Sequence, residues 1–277
     1  MYLKTILFSL TTLFLTSCTS LQTLQFYTSD KTPDRNSTFV VYSNPKTSGI
    51  FTNITVCVKK HCQKIKNVLV DTGSVGVRIF RKAFNKNMQK ILENNAIKYD
   101  QQNIHSEALY APGTLNGDMV FSRISTGTFT TKTNLLVAKE NTKMAFFLKK
   151  KKINGIFGIM IKNRWLPDYT TKTGEKLPLV ARVIVATHEN PMRKIKSYKI
   201  KLDKKGSGTI ALSTIYSTRK INSKNHIKYK AYLDTGSPYK VFVLDGLTVF
   251  GLPTLYGNEA IYTKNRIFIK KTVYVIN

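Results

Sequence analysis

The tetrapeptide Asp-Thr-Gly-Ser occurs twice in this chain, as Asp71-Thr72-Gly73-Ser74 and as Asp234-Thr235-Gly236-Ser237, 163 residues apart. Each copy follows apolar residues (Val68-Leu69-Val70; Tyr232-Leu233) and precedes more (Val77, Ile79, Phe80; Val241, Phe242, Val243). A carboxylate at the end of a buried strand is expensive unless something uses or satisfies it. Two such carboxylates placed face to face cannot both stay ionised, so they share one proton and titrate as a pair. That is the chemistry of an acid/base dyad that activates water, with Asp71 and Asp234 as its candidate catalytic groups. The neighbouring residue types suit the task. Gly73 and Gly236 permit a tight turn that brings backbone N–H groups near each carboxylate. The hydroxyls of Thr72, Ser74, Thr235 and Ser237 are short donors that can hold a carboxylate in one rotamer. One copy alone would read as a polar turn after a strand; two copies with matching apolar flanks point to a site.

The elements that must position these loops read as mostly β. Short β-type runs, separated by turns rich in Gly, Pro and Asn, cover Phe39–Tyr42, Phe51–Val58, Asn67–Val70, Val77–Phe80, Met119–Ile124 and Asn134–Ala138. Arg81 to Asn95 is the one helix candidate, with Ala83, Phe84, Met88, Ile91 and Leu92 spaced at three and four. Residues 166–178 read as a polar connector. Strands are expected again at Leu179–Ala186, Tyr198–Leu202, Gly208–Leu212, Ile227–Leu233, Lys240–Leu244, Ile261–Tyr262 and Ile267–Val275. In Tyr198–Asp203 the apolar residues alternate with Lys199, Lys201 and Asp203, one face in and one face out.

The 277 residues suffice for one large domain or two lobes with a real core. Forty-four Lys+Arg against 15 Asp+Glu give a net charge of +29, which favours anionic partners. The lysines are spread along the chain, as on solvated faces, so no specific nucleic-acid partner is expected. The densest run, Lys149–Lys152, reads as an exposed loop or strand end. No phosphate-binding Gly-rich loop, His-Glu-x-x-His or Gly-x-Ser-x-Gly motif is present, and no cofactor is expected. At the N-terminus Lys4 precedes a short apolar stretch, Ile6 to Leu15, with signal-peptide anatomy over residues 1–17. Leu15-Thr16-Ser17-Cys18 resembles a bacterial lipobox, which implies lipidation of Cys18 as a membrane anchor, and residues 18–37 read as a tether. Thr19 after the Cys resembles lipoproteins sent to the outer membrane, so the expected location is the cell envelope, facing the periplasm. Cys57 and Cys62 lie between two strand-like runs, and an exported protein can oxidise this pair as a hairpin staple. A metal site using His61 is not expected, because no second Cys/His cluster exists.

Beyond the two acidic loops, Tyr110-Ala111-Pro112-Gly113-Thr114-Leu115-Asn116-Gly117 begins 39 residues after Asp71, and Ile156-Phe157-Gly158 ends 87 residues after it. With these segments the chain resembles the pepsin-like aspartic proteases. Leu-Val-Asp-Thr-Gly-Ser-x-Gly-x-Arg-Ile (69–79) also resembles a little-characterised group of bacterial exported proteins. The resemblance implies a mainly β, bilobal acid protease fold with a cleft between two six-stranded-type lobes: residues 38–165, with the first loop and a flap, and residues 179–277, with the second loop. It implies an aspartic endopeptidase acting on peptide or protein substrates. In that reading Thr72 and Thr235 cross-brace the loops, and Ser74 and Ser237 bond the outer carboxylate oxygens. Tyr110, Gly113 and Thr114 belong to a flap over the substrate, and Ile156, Phe157 and Gly158 pack beneath the first loop.

Three departures qualify this expectation. Arg78 or Ile79 stands where the family has a Trp supporting the flap Tyr. Only 43 residues follow Asp234, and Val249-Phe250-Gly251, the one late match to the apolar-apolar-Gly segment, comes 17 residues after it, too soon for family spacing. The expectation is therefore a shortened second lobe, and with it an alternative function as a non-catalytic peptide- or partner-binding lipoprotein. No pro-segment is evident.

Overall fold

A computed structural model describes residues 36–44, 47–110, 113–161, 169–214, 226–229, 232–235, 241–244, 247–256, 259–263 and 266–270. The signal peptide, Cys18 and nearly all of the tether lie outside the described residues, as do Ala111, Pro112, Gly236 and Ser237.

The first half is a chain of β-strands: β1 (Asn36–Asn44), β2 (Thr47–Val58), β3 (His61–Asp71) and β4 (Val75–Phe80). A 3-10 turn over Arg81–Ala83 and helix α1 (Lys86–Asn94) follow, then β5 (Lys98–Tyr99), β6 (Gln102–Tyr110), β7 (Gly113–Thr126) and β8 (Phe129–Ala138). Helix α2 (Lys143–Lys150) leads into β9 (Gly155–Ile159) and β10 (Tyr169–Thr171). Strands β2, β3, β9, β4, β8 and β7 are hydrogen-bonded in that order, and β7 returns to pair with β2 at Thr55↔Ser125, closing a six-stranded barrel. Closure removes the free edges that a sheet would otherwise expose. All residues of β4 and β9 are buried. Strands covered on both faces read as continuous apolar runs, which these are, apart from Arg78 and the glycines.

Side chains alternate between two layers. Val77 and Ile79 of β4, Leu135 and Val137 of β8, and Phe157 of β9 point to one core cluster. Phe80, Leu136, Ala138 and Ile156 point to the other, which residues of β6 and β7 and of helices at 143–150 and 179–189 cover. At the centre of the first cluster, Phe157 packs against Phe39 and Phe129, with ring centroids 5.9 and 6.2 Å apart. Cys57 and Cys62 face each other across the β2–β3 hairpin and are disulfide-bonded.

The second half contains helix α3 (Leu179–Glu189), β11 (Ser197–Leu202), β12 (Gly208–Ser213), β13 (His226–Tyr229), β14 (Tyr232–Asp234), β15 (Val241–Leu244), β16 (Leu247–Gly251), β17 (Glu259–Thr263) and β18 (Arg266–Lys270). Strand β1 pairs with β12, and the path continues through β11, β17, β18 and β13, so one antiparallel run joins the two halves. In β11 Tyr198, Ile200 and Leu202 are buried and Lys199 and Lys201 exposed, as the alternation requires. The chain is thus mainly β. Among the described residues no helix is long and apolar enough to cross a membrane.

Several sequence expectations need correction. Leu179–Ala186, expected as a strand, lies within α3. A short apolar run does not distinguish a strand from a buried helix. Here Ala181, Val185 and Glu189, four residues apart, form the buried stripe. The polar connector contains β10, which pairs with β6 at Tyr169↔Ser106. The expected helix over Arg81–Asn95 starts late, because the Asn85 side chain accepts the Met88 N–H and caps α1. Lys149 and Lys150 end α2, which Thr142 caps through the Ala145 N–H. The apolar positions of that helix were too few to show a period.

Phe157→Ala should lower stability by about 3–5 kcal/mol, because the cavity would open at the meeting point of three rings. Chemical denaturation followed by circular dichroism measures this; a loss below about 1 kcal/mol would mean the barrel centre is not packed as described.

Candidate active site

Asp71 ends β3 and Asp234 ends β14, and the two strands sit in equivalent surroundings. Strand β3 runs parallel to β9 with Asp71 opposite Gly158, and β4 pairs antiparallel with the other edge of β9. Strand β14 runs parallel to β16 with Asp234 opposite Gly251, and β15 pairs antiparallel with the other edge of β16. Each aspartate therefore ends an outer strand of a three-stranded unit whose middle strand carries an apolar-apolar-Gly segment. Ile156-Phe157-Gly158 fills that place in the first half and Val249-Phe250-Gly251 in the second. This corrects the expectation that Val249-Phe250-Gly251 comes too soon. Register, rather than the length of the intervening chain, decides the match, and a short connection reaches it.

The loops after the two strands are locked together by threonines. The Thr72 N–H donates to Thr235 Oγ1 (3.1 Å), and the Thr235 N–H donates to Thr72 Oγ1 (2.9 Å). The Thr72 hydroxyl donates to the Leu233 carbonyl (2.7 Å) and the Thr235 hydroxyl to the Val70 carbonyl (2.8 Å). Every bond of the set has its counterpart in the other half. Thr72 is 3% exposed and Thr235 fully buried, so the set is shielded from competing water.

The carboxyl groups meet at Gly73. A methyl group placed on Gly73 would lie 2.9 Å from Asp234 Cγ and Oδ1 and 3.2 Å from Asp71 Oδ1. The two Oδ1 atoms are therefore no further apart than those two legs taken together, about 6 Å. Real Cβ atoms are essentially never found under 3.0 Å from a neighbour, so a side chain at Gly73 would have to push the Asp234 carboxyl aside. The Gly73 N–H also donates to Asp71 Oδ1 (2.8 Å). Asp71 is 7% exposed, while Gly73 between the carboxyls is open to solvent, so the pair is reachable.

The β6–β7 hairpin, the expected flap, pairs Tyr110 with Gly113 and Leu109 with Thr114. Gly113 has φ +140° and lies against the start of α2. Burial pushes the Tyr110 hydroxyl up to about 12; the charge of Arg78 opposes this and that of Asp71 adds to it. Tyr110 thus stands beside the first acidic loop as a neutral phenol. Ser74 was expected to bond an outer carboxylate oxygen. Its Oγ is buried, faces Tyr110, and makes no hydrogen bond of normal geometry among the described residues. At the root of the hairpin the cross-strand pair His105 and Asp118 is bonded, Nδ1 to Oδ1, at 2.8 Å, and Lys139 Nζ reaches His105 Nε2 at 3.1 Å. The hydrogen bond from His105 holds the Asp118 carboxyl below its usual 3.8. Among the described residues no three His, Cys, Asp or Glu side chains gather as metal ligands.

Sequence reasoning missed Tyr169 and Glu189. Both are buried and both belong to the surroundings of Arg78: Glu189 is ion-paired to it and Tyr169 bonds the same carboxylate. Only the glutamate left a trace in the sequence, as the polar end of the apolar stripe of α3.

A family profile described as "Protein of unknown function (DUF3443)" matches residues 34–161. That span takes in the first Asp-Thr-Gly-Ser, the hairpin and Gly158, and stops before Asp234. No curated protein matches the chain.

Thr72→Val and Thr235→Val each remove one hydroxyl from the brace and strand an N–H and a carbonyl. Each should cost about 2–4 kcal/mol, and the double variant less than the sum, because losing either hydroxyl loosens the two loops that the other pair of bonds must hold together. Thermal unfolding of the three variants measures this; additive losses would contradict a reciprocal unit.

The depressed pKa of Asp118 means that its contribution is complete above pH 3.8 and is lost as the pH falls through the folded-state value. Asp118→Asn should therefore speed amide exchange in β6 and β7 at pH 7. The difference from wild type should vanish at pH values well below 3.8; a pH-independent difference would refute this.

Proposed function

We propose that the chain is an aspartic-type endopeptidase of pepsin-like, two-lobed build. The observation that carries this reading is the convergence of Asp71 and Asp234 on Gly73, held by the reciprocal Thr72–Thr235 bonds. Two loops of the same sequence, on strands with the same register to an apolar-apolar-Gly segment, form a pseudo-twofold pair. Such a pair holds one proton between two carboxyls. The ionised member takes a proton from water while the protonated member donates to the scissile carbonyl. A C–O bond forms, and the tetrahedral intermediate collapses with cleavage of the C–N bond. The proton taken from water passes to the leaving amine, the proton lent to the carbonyl oxygen returns to the carboxylate that gave it, and no covalent enzyme intermediate arises. The β6–β7 hairpin supports an extended peptide as substrate, since its strands can pair with a strand-like ligand and close over it.

In this proposal residues 38–165 and 179–277 form the two lobes. Lipidation of Cys18 tethers the enzyme to the envelope, most simply at the outer membrane facing the periplasm, where the Cys57–Cys62 disulfide is stable. The competing reading, a non-catalytic peptide-binding lipoprotein, drew on the few residues after Asp234. The matched register of β14 and β16 weakens that ground.

Asp71→Asn and Asp234→Asn should each lower kcat for an unfolded protein substrate by at least about a thousandfold with the fold intact. A statine-type peptide should inhibit the wild type. Peptide binding without cleavage at any pH, unchanged in both variants, would favour the binding module instead.

A further inference from the structure

Arg78 lies on β4 between the core residues Val77 and Ile79, and it is 6% exposed. Its Nη2 donates to Glu189 Oε1 at 2.8 Å, and the other carboxylate oxygen takes the hydroxyl of Tyr169. A buried ion pair is a poor stabilising device, because apolar residues of similar volume often serve as well or better. Its presence beside the acidic loop therefore calls for another reason.

The unsatisfied atoms supply one. Arg78 Nε and Nη1, Tyr110 Oη and Ser74 Oγ are all buried and make no hydrogen bond of normal geometry among the described residues, although the Ser74 and Tyr110 hydroxyls lie near enough to interact. They belong to residues that face one another. The field at Tyr110 comes from Arg78, Asp71 and Glu189, with Ser74 beside it, and the field at Arg78 comes from Tyr110, Glu189, Tyr169 and Asp71. The guanidinium is ion-paired to Glu189, and its charge also acts on the flap tyrosine. Gly76, at φ +93°, makes the space: a methyl there would lie 2.7 Å from Arg78 Nη1 and 2.9 Å from Glu189 Oε1. Tyr169 sits on β10 opposite Ser106 of β6, four residues before Tyr110. Helix α3, strands β4 and β10 and the flap strand are consequently tied at one ion pair.

We propose that Arg78 is a positioning residue: Glu189 and Tyr169 fix its guanidinium, and the guanidinium fixes Tyr110 beside Ser74 and Asp71, which sets where the flap closes on a bound peptide. The kinetic consequence rests on the peptidase reading; the placement of Tyr110 does not.

Arg78→Met alone would leave Glu189 as a buried, unpaired charge, so the decisive variant is Arg78→Met/Glu189→Gln, checked for a retained cooperative melt. Arg78→Lys keeps the charge without the fork and gives the same reading in smaller degree if the double variant does not fold. In peptide cleavage the double variant should raise KM by about tenfold with kcat changed by less than about threefold. Adding Tyr110→Phe should cause little further loss, because the residues act as one unit. A loss confined to kcat, or a full additional loss on adding Tyr110→Phe, would overturn the proposal. Independently, the ring signal of Tyr110 in ¹³C-tyrosine-labelled protein, assigned through Tyr110→Phe, should shift in the double variant and partly in Arg78→Lys. An unmoved signal overturns the proposal. If the wild type cleaves no peptide but the signal shifts, the peptidase reading fails and the positioning role stands.

Discussion

The reciprocal hydrogen bonds between Thr72 and Thr235 are the constraint on which the site depends. Each threonine gives its hydroxyl to a carbonyl at the end of the opposite strand and accepts the opposite backbone N–H. A single bond of this kind contributes about 1 kcal/mol net, but four of them in a dry interface define one relative placement of two loops. Carboxylates resist being brought together, and a rigid frame must hold them against that repulsion. Here the frame is covalent chain on one side and buried hydrogen bonds on the other. The carboxyls are left facing Gly73, which has no side chain to keep them apart.

The barrel exists to make that frame stiff. Strand β3 delivers Asp71 because it is pinned by β2 on one edge and by the buried β9 on the other. Gly158, opposite Asp71, packs against the Ser74 backbone of the loop, while its neighbour Phe157 anchors β9 in the core between Phe39 and Phe129. The second half reaches the same local arrangement with far less chain: three short strands, β14, β16 and β15, reproduce the register around Asp234. What a carboxylate at a strand end needs is a parallel neighbour with glycine opposite it, so that the following loop can pass close by; the size of the surrounding lobe is secondary.

Arg78 shows a different economy. A position on a fully buried strand ordinarily takes an apolar residue, and a cation there is costly unless paired. Glu189, 111 residues further along the chain, supplies the charge, and Tyr169 bonds the same carboxylate. The arrangement buries a positive charge whose field reaches Tyr110.

The sequence by itself determined the acidic pair, the predominance of β-structure, the exposed lysine face of β11 and the pairing of Cys57 with Cys62. Each is written in short-range pattern: a repeated tetrapeptide, alternation with period two, or two cysteines flanking a tight turn. Tertiary structure alone decided that Leu179–Glu189 is a helix, because a short, mostly apolar run suits a strand or a helix equally until a neighbour covers it. It alone decided that Val249-Phe250-Gly251 serves Asp234, because parallel register is a property of two strands and of no one segment. The Arg78–Glu189–Tyr169 cluster was equally hidden, since nothing local marks an arginine as buried; burial follows from where a distant helix lays its polar end.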